Sequence, residues 1–82
     1  MTSFQDVLNL VNERFNMNVE SQLAANVLFL KVHGLDNYSL ARYIVENFEE
    51  IQVSVKGHLG YQFSDDWIKI QKSNTNTLEI TG

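Results

Sequence analysis

The stretch SQLAANVLFLKVHG, residues 21–34, constrains the chain more than any other. On a helical projection Leu23, Val27 and Leu30 share one side, Ala24 and Leu28 lie beside them, and Ala25, Phe29 and Val32 carry the apolar surface further round. A helix apolar on several sides has to be covered on several sides. Spanning a bilayer takes about 20 apolar residues, and this run is shorter and is interrupted by Asn26 and Lys31. The spacing therefore predicts a central helix over residues 19–33 of a small soluble domain. Gly34 suits the left-handed position after a helix, His33 the C-cap, and Leu35 can fold back against Leu30. Asp36 then caps the next helix, with Leu35 before the cap and Leu40 four positions beyond it, the spacing of a hydrophobic staple.

Two further helices flank the central one in this reading. Thr2 or Ser3 can cap the first, and Phe4, Val7, Leu8, Val11 and Phe15 recur at three and four residues to make one apolar face. Asn16-Met17-Asn18 breaks that pattern, because asparagine competes for local backbone hydrogen bonds, and Asn18 can cap the second helix. The third helix, residues 37–49, buries Leu40, Ala41, Ile44, Val45 and Phe48. After Glu50 the period becomes two, in Ile51/Val53/Val55, Leu59/Tyr61/Phe63, Ile68/Ile70 and Leu78/Ile80. Lys56-Gly57-His58, Ser64-Asp65-Asp66 and Ser73-Asn74-Thr75-Asn76 separate these runs and have the composition of turns. The expected architecture is a single α+β domain over residues 1–82, with three N-terminal helices packed on a C-terminal antiparallel β-meander of three or four strands.

The 82 residues include no cysteine, which removes disulfides, thiolate metal sites and cysteine nucleophiles together and fits a reducing, cytoplasmic setting. The N-terminus has neither the basic region nor the long apolar run of a signal peptide, so no membrane association is expected. Net charge is −4 and uneven. Residues 1–50 hold three basic against seven acidic side chains, whereas residues 51–82 balance three against three. An acidic first half repels phosphate backbones and suits a basic protein partner.

No group of side chains has the spacing of a catalytic, cofactor or metal site, and none of these is assigned. His33 reads as a helix C-terminal residue that meets the last carbonyls, and His58 as a turn residue. Gly57 and Gly60 lack the lysine-serine/threonine signature of a phosphate loop, and Ser39 and Ser54 have no placed base. Asp65 and Asp66 diverge in a turn, while Glu46 and Glu50 stand four apart on the third helix, an acidic face available to a cation. For Trp67 two readings stay open. Period two carries it outward beside Lys69 and Gln71, where it can anchor an interface, or a bulge after Asp66 turns it back onto the core edge.

Three helices followed by hairpins is also the element order of a winged helix, and the corner before Asp36 resembles a helix-turn-helix in general arrangement. The acidic residues beside Asn37, Ser39 and Arg42 argue against direct nucleic-acid binding. The leading expectation is a non-catalytic protein-protein interaction domain, an inhibitor, antagonist or adaptor for a basic or apolar site. Its contacts would be Glu46, Asn47, Glu49 and Glu50 on the third helix and Trp67 and Lys69 on the sheet. Self-association by extension of the last strand is a version of the same reading. A winged-helix-like DNA-binding regulator is the alternative, with a small enzyme behind both.

Overall fold

The first helix begins where Ser3 accepts a hydrogen bond from the Asp6 amide at 3.1 Å, and the computed structural model describes the chain over residues 3–56 and 67–81. Helix α1 (Phe4–Phe15) buries Val7 and Val11, and a short 3₁₀ turn over Asn16–Asn18 follows it. Asn16 enters that turn with φ of 58°, a conformation its short polar side chain tolerates.

The central helix is absent. Residues 19–33 instead form a hairpin of strands β1 (Val19–Ala24) and β2 (Val27–Val32), closed by the two-residue loop Ala25-Asn26. Leu28, Leu30 and Val32 point to the covered face and are buried, while Val27, Phe29 and Lys31 point the other way and are half-buried. Period two is present, but apolar residues at Val27 and Phe29 fill the positions where a one-sided strand usually carries polar ones. That breadth mimics an all-round apolar helix. Leu23, read as a core residue of that helix, is 60% exposed on the edge strand.

Gly34 does adopt the left-handed conformation, with φ of 87°, but its turn leads from a strand into a helix. Helix α2 (Asn37–Asn47) starts as expected: Asp36 accepts from both the backbone N–H and the hydroxyl of Ser39 at 2.9 Å. It ends two residues early, and Glu49 and Glu50 form the connector to β3 (Ile51–Lys56). Strands β4 (Ile68–Lys72) and β5 (Thr77–Thr81) complete the sheet. The expected strand at Leu59–Phe63 and the turn residues Gly57, His58, Gly60, Asp65 and Asp66 lie outside the described residues.

The described architecture is therefore two helices and one five-stranded mixed sheet, in the order β1-β2-β4-β3-β5. Strand β4 is antiparallel to both β2 and β3, whereas β5 is parallel to β3, which overturns the meander. Three expected helices become two because the hairpin replaces the middle one. Without a second helix before Gly34, the helix-turn-helix corner does not form. The helices cover a single face. Their Val7, Val11, Leu40, Ala41 and Ile44 close over Leu28, Leu30, Ile51, Val53, Val55, Ile68 and Ile70, all buried. Each of the valine, leucine and isoleucine side chains stabilises the fold by about 1.5–3 kcal/mol relative to exposure.

The parallel β5 requires the four-residue link from β4 to cross the start of β3, and Asn76 secures that crossing. Its amide nitrogen donates to the carbonyls of Val45, at 2.9 Å, and Phe48 at the end of α2, and its Oδ1 accepts from the Ile51 amide at 3.2 Å. The Ser73 amide donates to the Glu50 carbonyl at 2.9 Å on the same crossing. Replacing Asn76 by Ala leaves two helix-end carbonyls and a strand amide without this partner. It is expected to lower stability by about 2 kcal/mol, measured by urea denaturation with an unchanged m-value.

Candidate functional site

Because both helices lie on one side, no described element covers the other side of the sheet, and the strand registers state what this open face carries. One row runs Gln22–Phe29–Lys69–Ser54–Glu79 across all five strands, and the next runs Ala24–Val27–Gln71–Gln52–Thr77. At the other end Glu20 pairs with Lys31 and Lys56 with Thr81. Extending the Leu30–Ile68 pairing by one residue and the Ser54–Lys69 pairing by two, in phase, sets Trp67 between Lys31 and Lys56. Trp67 is half-buried and, with Gln22, Phe29 and Lys56, lines an open depression of about 320 Å³.

The face is thus a shallow aromatic and aliphatic centre, made by Val27, Phe29 and Trp67, with amides beside it and ammonium groups around it. Among the described residues of this face Lys31, Lys56 and Lys69 stand against Glu20 and Glu79, one net positive charge on a chain of net charge −4. Glu79 accepts from the Gln52 amide at 2.8 Å, and Glu20 is paired with the His33 imidazole at the open end of the hairpin. The rest of the described surface carries the opposite bias, with Asp6, Glu13, Asp36, Glu46, Glu49 and Glu50 against Arg14, Arg42 and Lys72. Among the described residues net charge therefore differs by layer, slightly basic on the open sheet and acidic on the helical side.

The residues expected to make contacts fall into two groups that lie on different layers. Trp67 and Lys69 belong to the open face. Glu46 and Asn47 lie on α2, where the Arg42 guanidinium holds the Glu46 carboxylate at 3.0 Å and the Asn47 amide donates to the Tyr43 carbonyl at 2.7 Å. The Glu46 bond raises the Arg42 pKa above its ordinary value, with Tyr38 contributing in the same direction. Glu49 and Glu50 follow the helix end, and Glu50 is in the left-handed region with φ of 59°. Glu46 and Glu50 therefore share no helical face. His33, expected at a helix C-terminus, follows β2, and its amide donates to the Asn18 carbonyl at 2.9 Å.

Gln22, Val27, Phe29, Lys31 and Lys56 join the open face without having been singled out by spacing. The signal that could have found them is the pairing of Leu28-Leu30-Val32 with an equally regular Val27-Phe29-Lys31 set. A second recess of about 370 Å³, between Phe4, Ala25, Asn26, Gln71 and Lys72, sits at the end of the sheet. There the Lys72 ammonium lies 5.6 Å from the Phe4 ring centroid, a cation–π contact that ties β4 to α1. Among the described residues no three His, Asp or Glu side chains gather as a metal site, and no helix is long and apolar enough to cross a membrane. Compared with known families, curated proteins and solved structures, the chain matches none.

Adjacent residues on opposite faces provide a direct check. Leu28→Ala removes a fully buried side chain and is expected to cost about 2–5 kcal/mol, whereas Phe29→Ser on the open face should cost about 1 kcal/mol. Thermal or urea unfolding of the two variants measures the difference, which a helix buried on all sides would not produce.

Proposed function

We propose that the chain is a non-catalytic protein-binding domain that engages its partner through the open sheet face. The observation that carries this reading is the placement of Phe29 and Trp67 on the uncovered side of the sheet, with Lys31, Lys56 and Lys69 around them. Half-buried aromatics at the centre of a patch supply most of the binding energy of a typical interface, and a charged rim directs orientation and approach. The partner of matching chemistry presents apolar side chains flanked by carboxylates. This departs from the basic partner suggested by total charge, because most of the described acidic residues sit on the helical side, where Glu46 already pairs with Arg42.

A sheet face with half-buried aromatics and lysines also suits stacked bases, but single-stranded nucleic-acid sites rely on a strongly positive groove, and one net positive charge supplies little of that. The test compares capture from extracts of the source cells by the wild-type chain, by Phe29→Ser with Lys69→Glu, and by Glu49→Lys with Glu50→Lys. A specific protein lost about 30-fold or more with the sheet variant and retained with the connector variant supports the reading; the reverse pattern contradicts it. Trp67, the single tryptophan, reports on the same face in solution. Saturable, salt-sensitive quenching of its fluorescence by single-stranded RNA or DNA would replace the protein partner with nucleic acid.

A further inference from the structure

We infer that two copies of this chain join edge to edge through β1, antiparallel about Ser21, to form a continuous ten-stranded sheet. Three observations lead there independently of what the open face binds. The first is the direction of the backbone groups. The His33 amide bonds the Asn18 carbonyl, so in the β1–β2 ladder the even-numbered residues of β1 face β2. The N–H and C=O groups of Val19, Ser21 and Leu23 are consequently directed out of the sheet edge.

The second is the character of that edge. Strand β1 spans six residues and contains no lysine, proline or glycine, the residues that usually blunt an edge, and its one charge is Glu20. Leu23 lies on the helix side of the sheet beyond the cover of the helices, 60% exposed. The third is self-complementarity. With Ser21 opposite its symmetry mate, all three outward residues pair, Leu23 meets Val19 of the second copy on the helix side, and Glu20 faces Gln22 on the open side. Shifting the register by one pairing step either leaves Leu23 opposite Ser21 or sets Glu20 against Glu20.

The opposite edge does not share this fit. Strand β5 also exposes an apolar residue, Ile80 at 44%. Full antiparallel overlap of two β5 strands would place Glu79 directly against Glu79, a like-charge pair at the centre of the seam. The β1 seam instead joins the two open faces into one surface, with Gln22 and Phe29 of both copies nearest the junction.

A single six-residue strand pair buries less than the roughly 1,600 Å² of a standard stable interface, so the association is weak and its test spans concentration. Sedimentation equilibrium of the full chain from about 5 μM to about 1 mM is expected to show reversible dimerisation. Leu23→Lys and Ser21→Pro should each weaken it about tenfold or more. Proline at 21 removes only an outward amide, and lysine at 23 occupies an exposed site, so both variants should keep the wild-type Trp67 fluorescence and melting transition. Ile80→Lys should leave the dimer intact. A chain that stays monomeric to the highest concentration overturns the inference, as does a dimer that both β1 variants preserve or that Ile80→Lys dissociates.

Discussion

Both described helices seal the same face of the five-stranded sheet, and the other described features follow from that imbalance. The sealed face is a continuous aliphatic layer in which Leu28 and Leu30 of β2 meet Ile68 and Ile70 of β4, with Ile51, Val53 and Val55 beside them under Val7, Val11, Leu40 and Ile44. Burial of these side chains supplies the main driving force for folding and fixes the register, since a one-residue slip of a strand would turn its whole apolar set away from the helices. The same registration presents Val27, Phe29, Trp67 and three lysines together on the other side. The geometry of the core thus determines which residues are available to a partner.

Much of the α+β character was legible, and the reasons differ by element. Helix α1, the Asp36 cap and the strands β3, β4 and β5 have polar residues where each period requires them, so local pattern and tertiary position agree. The hairpin was not legible as one, because Val27 and Phe29 make both faces of β2 apolar and its turn lacks a signature. Positive φ among the described residues occurs at Asn16, Gly34 and Glu50, and not at Ala25 or Asn26, so the Asn-Gly pattern of a primed hairpin turn has no role here. Glu50 conceals another turn for the opposite reason: it takes a left-handed conformation that costs a non-glycine residue about 1–2 kcal/mol. The parallel placement of β5 is equally unreadable, since it depends on the Asn76 crossing, whose hydrogen bonds reach residues 25 to 31 positions away.

For the candidate site the balance is similar. Trp67 and Lys69 could be singled out because the alternation of Ile68 and Ile70 is clean, while Phe29 was absorbed into the expected helix core. The residue that most disguised the hairpin is one of those proposed to bind the partner. Net charge was a poor guide for a related reason. The sum hides a difference in net charge by layer among the described residues, acidic on the helical side and slightly basic on the open sheet face, and a partner encounters one layer at a time.

The central claim is that residues 19–33 form a hairpin with one covered and one open face. Residue-resolved amide hydrogen exchange on the dilute chain tests it most directly, because each structure imposes its own periodicity on the amides. The account predicts alternation in β1, with Glu20, Gln22 and Ala24 protected by β2 and Val19, Ser21 and Leu23 exchanging rapidly, beside a protected β2 held by strands on both sides. Continuous protection running through Leu23, Ala25 and Asn26 into Leu28, as a helix over 19–33 would give, contradicts it.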